Sequence, residues 1–177
     1  MDLTRFYRCI SELNQVMNRG VELSVLLETI CRETTILLAA ETTSVLLLDR
    51  HRERLLCSAA QGLTPKERDA IAFRPGEGVA GWVIANTQPA VIPDTTEDER
   101  FVPFIHQKRI IRSLIAIALI IRGQAIGCIC STHPAVGWFT KEHEELLSFL
   151  ANSVVLDVEN ARLYRMAITD SLTGLFN

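Results

Sequence analysis

The chain has 177 residues, 18 basic and 21 acidic, and is 48% hydrophobic with six prolines and nine glycines. That describes one globular core with a helical extension, and excludes both general disorder and two full enzyme domains of ~100–200 residues each. The net charge of −3 comes without a dense basic patch, which argues against nucleic acid as a partner. The longest apolar run, Leu114 to Ile121, has eight residues, whereas a membrane-spanning helix needs ~20, so no membrane partner is expected. Met1-Asp2-Leu3 opens directly into an amphipathic pattern without the marks of a secretion signal, and the expected compartment is the cytoplasm. Five cysteines (Cys9, Cys31, Cys57, Cys128, Cys130) contain no C-x-x-C pair and lie mostly in apolar segments. They read as reduced, buried thiols rather than a disulfide framework or a zinc site.

Leu3, Phe6, Ile10, Leu13 and Met17 are spaced by three or four and predict a first helix that breaks at Asn18-Arg19-Gly20. Leu23, Leu26, Leu27, Ile30, Ile36 and Leu37 predict a second, with Ala39-Ala40 near its end. Thr42 to Leu48 and Arg54 to Ala60 flank a polar stretch and read as a strand, a turn and a strand. Thr64-Pro65-Lys66-Glu67 places a capping threonine three residues before a glutamate, with proline at the first helical position. A short helix therefore begins there, and it ends before Pro75. Gly76-Glu77-Gly78 leads into a segment from Val79 to Ala85 whose Ala80 and Gly81 let a helix approach another element closely. Ala90-Val91-Ile92 is a strand, and Pro93 to Arg109 is expected to be a long, partly helical loop.

Arg112 to Ile121 and Ala125 to His133 predict two strands joined by Gly123-Gln124 in a type II′ turn. The register from that turn puts Ile115, Ile117, Leu119, Ile121, Ile126, Cys128 and Cys130 on one face. Leu114, Ala116, Ala118, Ala125, Gly127, Ile129, Ser131 and His133 fall on the other, whose small central side chains admit either a close helix or a cavity. On such a strand Cys128 and Cys130 share a face, a poor geometry for bonding each other. Thr140 then caps a helix with Glu142, Glu144 and Glu145 in its opening turn and Arg162 and Arg165 towards its end. Running to about Ile168, it spans roughly 42 Å at ~1.5 Å per residue. Leu147, Leu150, Val154, Val158 and Ala161 form one apolar stripe, and Leu146, Phe149, Leu156 and Leu163 another. One can pack on the sheet and the other on a partner helix.

These segments, in this order, resemble the GAF domains of signalling proteins. The resemblance rests on Leu23–Leu38, Ser44–Asp49, Pro75-Gly76-Glu77-Gly78-Val79-Ala80-Gly81-Trp82-Val83, Val91-Ile92-Pro93-Asp94, Asp98-Glu99-Arg100-Phe101, Arg112-Ser113-Leu114, Ile126-Gly127 and the helix from Phe139-Thr140 to Glu159-Asn160-Ala161. It implies an α/β (α+β) fold, an antiparallel sheet of five or six strands flanked by helices, with long N- and C-terminal helices. The first and last helices would cover one face, with a ligand pocket under shorter helices and loops on the other. Asp170-Ser171-Leu172-Thr173-Gly174-Leu175-Phe176-Asn177 resembles the opening segment of GGDEF domains, mostly diguanylate cyclases. The organisation expected is a signalling helix over 1–20, a GAF domain over 21–162, a linker helix over 163–169 and the start of a truncated GGDEF domain over 170–177. The acidic signature loop of a cyclase is absent from the chain, so cyclase activity is not expected of it.

No G-x-x-x-x-G-K-[ST], H-E-x-x-H or G-x-S-x-G motif occurs, and no catalytic or metal residue is assigned. Some GAF domains resemble methionine sulfoxide reductases with three cysteines, for which Cys57, Cys128 and Cys130 are the candidates. The predicted register places the last two on the bulky face, which favours structural thiols. The Asn-Lys signature of cyclic-nucleotide-binding members is not met, since Thr87 follows Asn86. No cysteine lies between 58 and 127 to hold a bilin, and the cofactor is unknown. The candidate ligand-binding residues are Phe101, Phe104, His106, Arg112, Leu114, Ala116, Ile129, Ser131 and His133. Arg109 is a further candidate for an anionic group, and Trp82 reads as core. Leu147, Leu150, Val154, Val158 and Ala161 are assigned to a parallel homodimer interface. The function expected is sensing of an unidentified small molecule that controls a C-terminal diguanylate cyclase. The alternatives are a ligand-free dimerisation module or a thiol-dependent reductase.

Overall fold

The computed structural model describes residues 3–20, 22–103, 107 and 109–173. The elements in chain order are α1 (Leu3–Met17), α2 (Leu23–Leu38), β1 (Thr42–Leu48), β2 (Leu55–Gln61), α3 (Pro65–Ala70) and β3 (Ala72–Phe73). They continue with α4 (Gly78–Asn86), β4 (Ala90–Ile92), β5 (Ser113–Ile121), β6 (Gln124–His133) and α5 (Lys141–Thr173). The six strands form one antiparallel sheet in the order β3-β2-β1-β6-β5-β4. All seven side chains of β1 are buried, as expected of a central strand covered on both faces.

The helices α1, α2 and α5 cover one face. Leu27, Ile30, Leu147, Leu150, Val154 and Val158 pack there on Val45, Leu47, Ile115, Ile117, Leu119 and Ile129. The stripe assigned to a dimer interface is therefore largely occupied within the chain. Leu147, Leu150, Val154 and Val158 are buried on the sheet and Ala161 is half-buried at its edge. Of the second stripe, Phe149, Leu156 and Leu163 are exposed and Leu146 is partly buried against the core. The opposite face meets α4 through Val79, Ala80, Val83 and Ile84, with Leu46, Leu114, Ala116, Ala118, Cys128 and Cys130 on the sheet side. Gly81 is obligatory here, because a Cβ would run into the carbonyl oxygen of Arg74 and lie 3.0 Å from the Gly76 nitrogen.

The β5–β6 hairpin departs from the expected register twice. Its turn residues are Arg122 and Gly123, both at positive φ (50° and 78°), closed by the pair Ile121↔Gln124. That is the type I′ pattern rather than a type II′ turn at Gly123-Gln124. The pairing then slips by one residue between Leu119↔Gly127 and Ile120↔Ala125, leaving Ile126 as a bulge. The bulge reverses the faces of every later β6 residue. Cys128 and Cys130 now stand opposite Ala118 and Ala116 on the α4 side, while Ile129 pairs with Ile117 under the helices. The two-residue strand β3 lay outside the expected elements, and no helix occurs between Pro93 and Arg112 among the described residues. The last helix runs five residues past the expected Ile168.

Candidate functional site

Between the α4 side of the sheet and the described parts of the 93–112 segment lies a cavity of about 70 Å³. Thr42, Ser44 and Leu46 of β1, Cys130 and Thr132 of β6 and Leu114 of β5 form its floor. Leu63, Ile71, Phe73, Val79 and Ala80 wall it, and Phe101, Val102 and Ile111 cover it. Its polar groups cluster at one end, because Thr42 pairs with Thr132 and Ser44 with Cys130 across neighbouring strands. The two threonine hydroxyls bond each other at 2.7 Å.

The covering segment is fastened at several points. The Thr95 hydroxyl donates to the Ile111 carbonyl at 2.6 Å and its amide to Arg112 at 2.9 Å, closing the loop at its base. Arg112 forks onto Asp94 at 2.7 and 3.2 Å, and that guanidinium, with the Thr96 donors, holds the Asp94 carboxyl well below the usual range. Arg100 forks onto Asp98 at 2.7 and 3.0 Å and lies 4.5 Å over the Trp82 ring. Arg109 donates to both oxygens of Glu67 at 3.2 Å, with Glu41 at 3.9 Å.

Glu67 is placed by its helix. Thr64 is the N-cap of α3, its hydroxyl accepts the Glu67 amide at 3.3 Å, and Glu67 accepts the Thr64 amide at 2.8 Å. The Arg109 hydrogen bond, aided by Thr64, lowers the Glu67 pKa to about 2. Position 67 thus serves a helix cap and a loop tether at once.

The candidates from sequence fall into three groups. Phe101 and Leu114 line the cavity, and Ala116 is buried in the cluster beneath α4. Ile129 and Ser131 are on the helical side because of the bulge, with the Ser131 hydroxyl 2.9 Å from that of Thr43. His133 stacks on Trp138 at 3.8 Å and accepts the Ala135 amide, away from the cavity. Arg112 and Arg109 are engaged by Asp94 and Glu67 rather than open to an anion. Phe104 and His106 lie outside the described residues. Thr42, Ser44, Cys130 and Thr132 were missed, though Thr42-Thr43-Ser44 opening an otherwise apolar strand was a signal at period two.

The bulge also removes the register argument against cysteine chemistry, since Cys130 lines the cavity and its Sγ is 3.7 Å from that of Cys128. Two of the three candidate thiols, Cys57 and Cys128, are nevertheless disfavoured as thiolates. The Cys130 hydrogen bond and burial push Cys128 well up, and burial pushes Cys57 up to about 12. No group of three or more His, Cys, Asp or Glu side chains converges to hold a metal among the described residues. No helix among them is long and apolar enough to cross a membrane.

Comparison with known proteins agrees with this architecture. A probable 3′,5′-cyclic phosphodiesterase of Caenorhabditis elegans is 28% identical over 96 residues, covering 53% of this chain. A Nif-specific regulatory protein of Enterobacter agglomerans is 30% identical over 101 residues, covering 55%. The matched stretch spans only 13% and 19% of those two proteins. The GAF domain of an Acinetobacter phosphoenolpyruvate-protein phosphotransferase superimposes with a TM-score of 0.80 at 21% identity, over 92% of this chain and 95% of that one. The GAF domain profile itself matches residues 22–158, and the chain belongs to the GAF domain family of regulatory, small-molecule-sensing modules.

Proposed function

We propose that the domain senses a small molecule in the cavity under the 93–112 segment and passes the change through α5 to a C-terminal diguanylate cyclase in cyclic di-GMP signalling. The observation that carries this reading is the placement of the cavity and α5 on opposite faces of one sheet. Strands β1, β5 and β6 contribute alternate residues to both, so a change of strand position at the cavity is felt by the helix. A ligand shifts that arrangement only by its differential affinity for two states.

The output half of the proposal rests on the resemblance of Asp170 to Asn177 to the start of a GGDEF domain; its last four residues lie outside the described residues. The organisation that goes with it is a signalling helix over 1–20, a sensor over 21–162 and a linker helix from 163. Dimerisation completes the reading, since joining two GTP molecules needs two catalytic domains face to face. The surface available is the exposed stripe Phe149, Leu156 and Leu163, spaced by seven on α5, with Tyr7 also exposed on α1 and Phe6 against Phe149 at 5.5 Å. Reading the encoding gene past codon 177 tests the output directly. A GGDEF domain whose production of cyclic di-GMP from GTP changes when the cavity is filled is the expected result, and a different output domain overturns it.

A further inference from the structure

The chemistry of the cavity wall restricts what the sensor can bind. Among the described residues, no carboxylate, ammonium, guanidinium or imidazole lines it; its polar groups are the hydroxyls of Thr42, Ser44 and Thr132 and the thiol of Cys130. The Thr42–Thr132 pair uses one hydroxyl proton internally and leaves one to give. The Ser44 hydroxyl has no hydrogen-bond partner among the described residues. The arginines of the covering segment do not supply the missing positive charge, because Arg100, Arg109 and Arg112 each lie on a carboxylate. Among the described residues an anion placed here finds no counter-ion to offset the hydration it loses.

Resting on the reading of this cavity as the sensory site, we propose that its ligand is a neutral, mostly apolar small molecule with one hydroxyl or carbonyl group. That group docks at Ser44 and the Thr42–Thr132 pair while the rest lies against Leu63, Ile71, Phe73 and Phe101. Phosphate- and carboxylate-bearing ligands are rejected. Size adds a second condition. The cavity of about 70 Å³ is smaller than the ~150 Å³ apolar cavity that takes up benzene. A ligand of one aromatic ring or more therefore extends out past Phe101 and Val102 at the mouth of the cavity or displaces them.

The test uses the 177-residue chain with phenol, toluene, cyclic AMP and succinate as probes, read by methyl NMR shifts of Ile71, Val79 and Leu114 and by titration. Phenol is expected to shift these signals and to bind about 10-fold more tightly than toluene, an advantage lost in S44A and T132V. Cyclic AMP and succinate are expected to leave the signals unmoved. If either anion binds and A80L, which fills the cavity, blocks it, the ligand class proposed here is wrong while the sensory reading stands. Phenol binding that S44A and T132V leave unchanged overturns the docking role of the hydroxyls. If no probe moves the methyl signals and A80L raises the melting temperature, the cavity is a packing defect and both readings fall.

Discussion

The two faces of the sheet are packed to different standards. On the helical face Leu27, Ile30, Ile115, Leu119, Ile129, Leu147 and Leu150 are all buried to 1% exposure or less, interlocking large aliphatic side chains from α2, α5, β5 and β6. On the other face the strands present Ala116, Ala118, Ala125 and hydroxyl residues beside the buried Leu46, Leu55 and Ile92, and a cavity remains under a loop held by ion pairs. The faces thus differ in one respect: the helical face is filled by large aliphatic side chains, and the other retains a cavity.

Truncation on each face breaks or sustains this comparison. Leu150→Ala is expected to lower the unfolding free energy by ~2–5 kcal/mol, because a close-packed site cannot collapse around the loss. Leu114→Ala, in the floor of an existing cavity, should fall at or below the bottom of that range. Urea unfolding measures both, and equal losses would show that the faces do not differ in packing.

Next in size is Gly127→Ala. A Cβ there would collide with the Leu46 carbonyl oxygen and come within 2.7 Å of the Leu47 side chain. Backbone of the central strand cannot move aside, so a loss of ~1–3 kcal/mol is expected. Gly123→Ala in the adjoining turn meets nothing within 4 Å and carries only the penalty of its φ of 78°, ~1–2 kcal/mol. If Gly127→Ala proves neutral, β6 does not lie against β1 in the register that turns Cys130 and Thr132 to the cavity.

That register marks the limit of what the sequence made legible. Local signals were readable: the Thr64 to Glu67 capping box, the Ala80-Gly81 close approach and the apolar periods of α2 and β5 each encode a contact within a few residues. The bulge at Ile126 was not, because alternation counts residues and cannot see one that is skipped; two adjacent turn choices around Gly123 also satisfied the same hairpin pattern. From Gly127 onward the face assignment inverted, which is why Ile129 and Ser131 were expected in the pocket in place of Cys130 and Thr132. The Arg109–Glu67 tether joins residues 42 apart, and no spacing rule connects them. The Arg112–Asp94 fork, 18 apart, was equally hidden and made Arg112 read as an anion site.

A smaller effect separates the two faces by pH. Glu67 titrates at about 2 in the folded chain against ~4.5 when unfolded, so folding favours its ionised form. Its stabilising contribution is complete above about pH 4.5 and is lost as the pH falls towards 2. Glu67→Gln should flatten that acid limb and cost about 1 kcal/mol at neutral pH through the weakened capping box. It should also loosen the 93–112 segment, seen as faster amide exchange at Thr95 and Phe101, while amides of α5 stay protected. Equal acceleration in α5 would mean that the tether supports the whole domain rather than the cavity face.

The smallest expected effect on stability comes from the outer side of α5. Leu156 is 61% exposed and touches neither core cluster, so Leu156→Glu should change monomer stability by no more than ~0.5 kcal/mol. Val154→Glu, two residues away and fully buried, should unfold the domain. If the exposed stripe is the dimer surface, wild-type chain gives twice the 19.8 kDa mass by light scattering, and Leu156→Glu with Leu163→Glu brings it down to the monomer. The pair of outcomes is diagnostic because the two positions share a helix but not a face: a charge at 154 acts on the fold, and a charge at 156 acts only on association. A wild-type chain that remains monomeric at high concentration, or a dimer indifferent to both outer charges, would leave α5 transmitting its movement within a single chain.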